Sequence, residues 1–308
     1  MYNEKNGGSC SMKAKVFFTK EITPQKVVEL YHKLGLDLPG KVAVKVHSGE
    51  KGNQNFIRPD FWKPAVDEVN GTVVECNTAY GDAFGGVRDH TPSHLRLLKD
   101  HGWIKTFNVD LMDAEGPDVV WPIPDGKVLK ENHLGKNILN YDSMLVLAHF
   151  KGHPMGGYGG ALKQLSIGCA SAAGKALIHS GGASESNIDA WQVHAEQDRF
   201  CEAMADAASS VVRHFAGRIA FINVMKNLSV DCDCCEVAED PCMKDIGILA
   251  SLDPVAIDQA CIDLIYAVKD DPGQAHFLER VETRHGVHTI EAAAELGFGT
   301  REYELIEV

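Results

Sequence analysis

The sequence is poor in basic residues and contains no long apolar run. Its 308 residues include 30 lysines and arginines against 43 aspartates and glutamates, which gives a net charge of −13 at pH 7. A nucleic-acid-binding surface requires clustered basic side chains, and no such cluster is present. No segment reaches the roughly 18 consecutive apolar residues that a membrane-spanning helix needs. We therefore expect a protein that binds neither nucleic acid nor membrane.

Cysteine is also scarce, with nine residues in the whole chain. So few cysteines, odd in number, do not form the framework of a disulfide-rich protein. The polar segment Met1–Met12 lacks the apolar core of a secretory signal peptide. The sequence thus predicts a disordered tail over residues 1–11 and a cytoplasmic location, where the thiols are free, catalytic or metal-bound.

The remaining composition is that of a globular protein, with 44% apolar and 24% charged residues. Apolar runs alternate with amphipathic windows along the chain, which predicts an α/β fold with mostly parallel sheets and flanking helices. We expect two packed lobes around a cleft, residues 12–150 and 151–308. Strands are predicted at 15–19, 41–47, 72–76, 143–150, 218–225, 245–249 and 302–306, helices at 23–34, 59–70, 92–101, 192–215, 253–268, 275–284 and 289–296, and a hairpin at 119–130.

Polar residues gather in the loops that follow several predicted strands. In parallel α/β folds these loops meet at the carboxyl edge of the sheet, where ligands bind. The loops concerned are 48–55, 77–86, 151–160 and 227–242. We expect the functional site where they converge.

Four cysteines fall within eleven residues in the last of these loops: Cys232, Cys234, Cys235 and Cys242. Thiolates this close together can bind one soft metal, and Zn²⁺ or an iron–sulfur cluster are the natural occupants. The spacing matches neither the bacterial ferredoxin run nor a zinc-finger pair. The alternative is a polar loop with unrelated thiols.

Histidines end two of the predicted strands. His149 lies at the end of the buried run 143–150, His153 follows this run, and His47 ends the strand 41–47. Imidazoles at this edge of a sheet suit proton transfer or metal binding. Together with Arg88 they form the predicted catalytic group, which we expect to lie in one cleft; the alternative is that a histidine only caps its strand.

A glycine-rich segment, 156–160, precedes Lys163. Glycines at the start of a helix let backbone N–H groups approach an anion, and a lysine can neutralise its charge. The segment is neither a Walker A motif nor a dinucleotide fingerprint. It predicts a cradle for an anionic small molecule, with a tight turn and a solvated lysine as the alternative.

Three motifs carry a family resemblance: KVAVKVHSGEKGN, HFKGHPMGGYGGALKQLSIGCAS and DIGILASLDPVAIDQA. They resemble the uncharacterised iron–sulfur-centre proteins, the domain of unknown function 362 family. Many members carry a ferredoxin-like insertion with four-cysteine runs, but the corresponding segment here, 181–199, contains no cysteine. The resemblance therefore implies a metal or cluster site only at the four cysteines named above.

A second, more distant likeness is to lactate racemase and its nickel-pincer relatives. His153, the Gly157, Gly159 and Gly160 segment, Lys163 and His179 occur in the order found in that family. The likeness implies a proton-transfer role for His153, a cofactor anchor at Lys163 and a metal ligand at His179. The substrate segment Asp-x-Thr-Arg-Pro of that family is absent.

These observations lead to three hypotheses about function. The first is a metal- or iron–sulfur-binding protein, a redox or cofactor-dependent enzyme with a His/Lys cleft and an electron-transfer partner. The second is a pincer-type racemase or epimerase of a small hydroxy acid, with a nickel-pincer cofactor. The third is a non-enzymatic metal-binding protein.

Overall fold

The computed structural model describes residues 13–81, 86–186 and 193–308, and twelve strands lie within them. The predicted tail, residues 1–11, falls outside the described residues, as do residues 82–85 of the glycine-rich loop. The strands are β1 (Ala14–Thr19), β2 (Val42–Lys45), β3 (Thr72–Glu75), β4 (Val109–Leu111), β5 (Val119–Pro122), β6 (Glu131–Leu134), β7 (Ser143–His149), β8 (Lys151–His153), β9 (Gly157–Gly159), β10 (Ile219–Met225), β11 (Gly247–Ser251) and β12 (Tyr303–Glu307).

Eight of these strands form one sheet, in the order β12-β1-β11-β10-β7-β2-β3-β4. Only β11 runs antiparallel to its neighbours within the described sheet, and the other five pairings are parallel. The predicted mostly parallel α/β fold is confirmed. The sheet draws strands from both predicted lobes, and the division into two lobes stays a prediction.

Ten α-helices flank the sheet in the described chain. Two of them begin where the sequence places a cap: the Thr23 hydroxyl accepts the Lys26 N–H, and the Asp253 carboxylate accepts the N–H groups of Val255 and Ala256. The helices are α1 (Pro24–Lys33), α2 (Pro59–Glu68), α3 (Thr91–Asp100), α4 (Trp103–Thr106), α5 (Ala161–Leu165), α6 (Ala172–His179), α7 (Gln197–His214), α8 (Pro254–Ala267), α9 (Gln274–Thr283) and α10 (Gly286–Glu295). None of these helices is long and apolar enough to cross a membrane.

Helices cover both faces of the sheet, which explains why its central strands read as continuous apolar runs. In β7, Met144 and Val146 belong to the core on one face, whereas Leu145 and Leu147 belong to the core on the other. Successive side chains of a strand point to opposite faces. Every residue of β7 and β10 is therefore buried.

Two details of the predicted elements need correction. The hairpin at 119–130 is longer than expected, because β5 pairs with β6, whose residues all follow position 130. Strand β4 was not predicted, since three residues give too short an alternation to recognise.

Strands β2, β3, β7 and β10 are parallel, so their carboxyl ends meet at one edge of the sheet. Directly after β7 the chain forms a small hairpin of β8 and β9 at this edge. Gly152 lets the hairpin pack closely against the loop after β10, because a Cβ at this position would lie 2.4 Å from the Val230 carbonyl oxygen. The hairpin and the loop thus form one wall of the site.

Candidate functional site

A cavity of about 460 Å³ opens at the carboxyl edge of the sheet. It is enclosed by the ends of β2 and β3, the β8–β9 hairpin, helices α5 and α6, and the loop after β10. Ligand sites of α/β proteins lie at this edge, and the volume suits a small molecule. We refer to it as the central cavity.

The loop after β10 brings two cysteines close to His153. The Sγ atoms of Cys232 and Cys234 and a ring nitrogen of His153 all lie within 4.8 Å of one another. Cys234 Sγ is 3.8 Å from His153 Nε2, and the Cys234 N–H donates to Cys232 Sγ over 3.3 Å. We call residues 232–239, which carry these thiols, the thiol loop.

Side-chain amides from the loop after β2 hold the thiol loop in place. Asn53 Nδ2 donates to the carbonyl oxygens of Cys232 and Cys235, at 3.3 and 2.9 Å. Gln54 Nε2 and Asn55 Nδ2 donate to carbonyl oxygens further along the same loop. The asparagine-rich segment after β2 therefore positions the thiols.

Asp233 anchors the thiol loop to His149 and Lys151. Its buried carboxylate accepts from His149 Nδ1 at 2.9 Å and from Lys151 Nζ at 2.9 Å. Burial raises the pKa of Asp233, but the charges of His149 and Lys151 outweigh this effect and hold the pKa well below its usual range. His149 thus supports the loop and is not among the residues that line the central cavity.

The ring of His153 has a defined orientation. Its Nδ1 accepts the N–H groups of Met155 and Gly156, at 3.1 and 2.8 Å. In the neutral ring the proton therefore resides on Nε2, which faces Cys234. Burial lowers the pKa of His153 to about 4, and the charge of Lys163 acts in the same direction, so the ring is neutral at pH 7.

The thiols are protonated at neutral pH in the absence of a ligand. Burial raises the pKa of Cys232 to about 11, whereas the charges of Lys163 and Lys151 oppose this rise. Lys163 Nζ lies 4.0 Å from Cys232 Sγ. A cation that binds here would displace the protons of both thiols, whose sulfur atoms already lie close together.

Buried ion pairs line the opposite wall. Lys45 Nζ lies 2.8 Å from Glu75, and Arg88 Nε lies 3.0 Å from Glu50. Burial raises the pKa of Glu75, but Lys45 and Arg88 outweigh this effect and bring the pKa to about 2. Arg88 Nη2 donates to the Tyr80 hydroxyl at 2.9 Å. These cations are largely neutralised by the protein itself.

The start of α5 corrects one expectation. The N–H groups of Ala161 and Leu162 donate to the buried carboxylate of Asp258 at 2.8 and 3.0 Å, and the Gly156 N–H donates to His153. The anion at this helix start is therefore a side chain of the protein, and these amides are not available to an external ligand. Lys163 lines the central cavity instead.

The structure gathers most of the predicted site residues. His47 and His153 line the same cavity, but the expectation that His149 shares this cleft is wrong, because His149 is not among the lining residues. Gly157 does not line the cavity either, and the Cys242 thiol donates to the Leu228 carbonyl at 3.4 Å. Cys232 contacts the lining residues Cys234 and Lys163. The predicted residues that line the cavity are His47, Arg88, His153, Gly159, Gly160, Lys163, His179, Cys234 and Cys235.

Several residues of the cavity wall were missed by sequence reasoning. Lys45 and Glu75 end the buried strands β2 and β3, and a charged residue at the end of a buried strand could have marked them. The sequence around Lys175 and Tyr80 gives no comparable indication. Their burial depends on how α6 and the loop after β3 pack against the rest of the protein.

Comparison with known proteins gives one family match. The model of the family described as "Domain of unknown function (DUF362)" matches residues 42–263, which is more than half of the chain and includes every cavity residue discussed above. No curated protein matches the sequence.

Two solved structures match part of this chain at low identity. The lactate racemase apoprotein from Thermoanaerobacterium thermosaccharolyticum shares 10% identity at a TM-score of 0.42, over 68% of this chain and 50% of its own. A structural-genomics crystal structure of a protein from Thermotoga maritima shares 11% identity at a TM-score of 0.42, over 89% of this chain and 59% of its own. The chain thus spans about half to three fifths of the structures it resembles, and no activity follows from likeness of this degree.

Proposed function

The chain belongs to the DUF362 family, and from the geometry of the central cavity we propose that it binds a soft metal ion at Cys232, Cys234 and His153 and acts there on a small anionic ligand. The observation that carries the proposal is the convergence of three donor atoms within 4.8 Å. Two thiols and an imidazole are a donor set that Zn²⁺ and other soft or borderline ions accept.

The donor set favours a single ion over a four-iron cluster. A [4Fe–4S] cluster takes four cysteine thiolates, but the Cys242 thiol is engaged with the Leu228 carbonyl and does not join the group at His153. Three protein ligands leave one position of a tetrahedral ion open to a ligand in the cavity.

The protein residues would divide the remaining tasks. Lys163 adds positive charge beside Cys232, which favours the thiolate form. The two backbone N–H groups that donate to Nδ1 fix the ring of His153, so that its Nε2 faces the sulfurs. Because Nε2 carries the proton of the neutral ring, an ion bound there would displace that proton, as it would those of the thiols. A bound ion would supply Lewis-acid or redox chemistry next to the anionic ligand.

Elemental analysis of anaerobically purified protein tests the proposal. We expect about one equivalent of Zn or Fe in the parent protein, and loss of most of it in Cys232→Ser and Cys234→Ser. Cys242→Ser is the matched control: a single ion should be retained in this variant, whereas a cluster ligated by four cysteines should be lost.

Absence of metal from the parent protein, with none taken up on incubation with Zn²⁺ or Fe²⁺, would refute the proposal. Loss of metal from Cys242→Ser would instead favour the iron–sulfur cluster with its electron-transfer partner.

A second candidate function is the pincer-type racemase or epimerase of a small hydroxy acid. It is favoured by one observation, that His153, Lys163 and His179 line the same cavity. Burial lowers the pKa of His179 to about 3, which keeps its ring neutral and able to bind a metal. In this reading Lys163 carries a covalently attached cofactor.

Intact-mass measurement separates the two candidates. A pincer-type enzyme should show an added mass that disappears in Lys163→Ala and persists in Lys99→Ala, a substitution at an exposed position on α3. A parent protein of unmodified mass, coexpressed with the cofactor's biosynthetic enzymes, would exclude this candidate.

A further inference from the structure

Two lysines of the central cavity lack a carboxylate partner. Across the described ranges of the chain, no carboxylate oxygen lies within 4.0 Å of Lys163 Nζ or Lys175 Nζ, whereas Lys45, Arg88 and Lys151 each have at least one carboxylate partner. Lys175 is only 6% exposed, and its Nζ donates one proton to the Ala170 carbonyl at 2.6 Å. A buried ammonium that is not directly paired with a carboxylate is costly, so an anionic ligand would relieve this cost.

Gln164 adds a second, independent observation. Its side chain lines the central cavity and is 6% exposed. In the part of the chain that the structure describes, its Nε2 has no hydrogen-bond partner. Buried amides are normally paired, and an orphaned donor at a cavity wall indicates a ligand atom that accepts its proton.

Glycines let these side chains pack closely against the cavity wall. A Cβ at Gly159 would lie 3.4 Å from Lys163 Cδ, and a Cβ at Gly168 would lie 2.3 Å from the Gln164 carbonyl oxygen. Apolar side chains of Ala79 and Ile167 also line the cavity. The cavity lining thus combines the ammonium groups of Lys163 and Lys175 with the apolar side chains of Ala79 and Ile167.

We infer that the central cavity binds a small dicarboxylate, with one carboxylate at Lys163 and the second at Lys175 and Gln164. The inference rests on the proposed function only in that an anionic ligand occupies this cavity. At the second position one carboxylate oxygen would accept from Gln164 Nε2 and the other from Lys175 Nζ. Nothing in this arrangement depends on which metal the thiols hold.

Carboxylate fits the second position better than phosphate does. Phosphate groups favour several converging backbone N–H groups at a helix start, but those of α5 are taken by Asp258, and at the start of α6 Gly174 N–H donates to Ser171. One amide and one ammonium match the two oxygens of a carboxylate.

Calorimetric titration of the purified protein at pH 7.5 tests the ligand class. Succinate should bind at least tenfold more tightly than butyrate, which has the same carbon chain and a single carboxylate, and more tightly than inorganic phosphate. Equal affinities for succinate and butyrate, or tighter binding of phosphate, would overturn the inference.

Variants test the position of the second carboxylate. Gln164→Leu and Lys175→Met should each weaken succinate binding at least tenfold. Two matched controls should keep the parent affinity: Gln259→Leu, which removes a buried amide on α8 outside the cavity, and the exposed Lys99→Met. Unchanged succinate affinity in Gln164→Leu would overturn the assignment, and the succinate-to-butyrate ratio remains decisive if Lys175→Met does not fold.

Metal content separates this inference from the proposed function. Gln164→Leu should retain the metal of the parent protein. A parent that binds metal but shows no preference for succinate refutes only the dicarboxylate, and a parent that prefers succinate but takes up no metal refutes only the metal site.

Discussion

At the scale of single residues, the molecule keeps several histidines buried and neutral. His94 is fully buried beside the charges of Arg88 and Glu75, and its Nδ1 lies 3.2 Å from Asn77 Oδ1. Burial lowers its pKa to about 3, and the charge of Arg88 adds to this effect. The cavity residues His153 and His179 behave similarly. Below about pH 6.5, unfolding is therefore accompanied by protonation of these rings.

The pH dependence of stability should reflect His94. Below its usual pKa of about 6.5 the unfolded chain takes up a proton that the folded chain excludes, so stability is fully present above pH 6.5 and falls as the pH decreases towards 3. His94→Asn should reduce the slope between pH 6 and 4 by up to about 1.4 kcal/mol per pH unit. Urea denaturation across this range measures the slope.

A measurement at pH 7.5 serves as the control, because the ring is neutral in both states there and the difference reports packing alone. An unchanged slope in the variant would show that His94 does not exclude a proton in the folded state.

At the scale of elements, one carboxylate joins α8 to the start of α5. Asp258 accepts hydrogen bonds from Ala161 N–H and Leu162 N–H, from Asn223 Nδ2 at 2.7 Å and from the Tyr158 hydroxyl at 3.2 Å. This residue therefore ties the helix that carries Lys163 to the core of the sheet.

Asp258→Ala should destabilise the fold by about 3 kcal/mol, because buried donors would lose their acceptor. Equilibrium unfolding in urea at pH 7 measures the loss. Asp270→Ala, at an exposed loop position, is the control and should change stability by less than about 0.5 kcal/mol. A loss at Asp258 no larger than that of the control would mean that α5 is held by other contacts.

The local sequence pattern predicted the strands and helices better than it predicted which side chains pair with one another. Residues 144–148 are apolar throughout and predicted a buried strand, and Thr23 and Asp253 indicated the starts of two helices. The thiols and His153 were likewise recognisable as candidate ligands. By contrast, the pairing of Lys45 with Glu75 depends on the register of β2 against β3, which no local pattern specifies.

The carboxylate that accepts the N–H groups at the start of α5 was not predicted, for the same reason. Glycines before Ala161 indicate amides that can bind an anion, but the anion comes from Asp258, nearly a hundred residues later in the chain. A sequence shows which groups require a partner, whereas long-range packing decides which partner they receive.

At the scale of the whole molecule, the two predicted lobes depend on each other. Strand β7 from the first segment pairs with β10 from the second over six positions, from Ile219 opposite Met144 to Val224 opposite His149. A fragment of residues 13–150 would expose the apolar edge and faces of β7 to water.

We expect this fragment not to fold alone and to recover structure when mixed with residues 151–308. Circular dichroism and the dispersion of amide signals in a ¹H–¹⁵N NMR spectrum measure both outcomes, with the full chain as reference. Cooperative unfolding of the isolated fragment would establish an autonomous N-terminal domain.

The position of β1 also bears on how the chain reaches this structure. Residues 14–19 lie between β11 and β12, so both neighbours of this early strand come from the last quarter of the sequence. On the ribosome β1 emerges long before either neighbour exists, and its unpaired edge remains available to other chains for that time. Such non-local pairing also slows folding, since a loop of more than 200 residues must close before β1 can pair with β11. Productive synthesis of this protein should therefore depend on chaperones that bind the nascent amino-terminal segment.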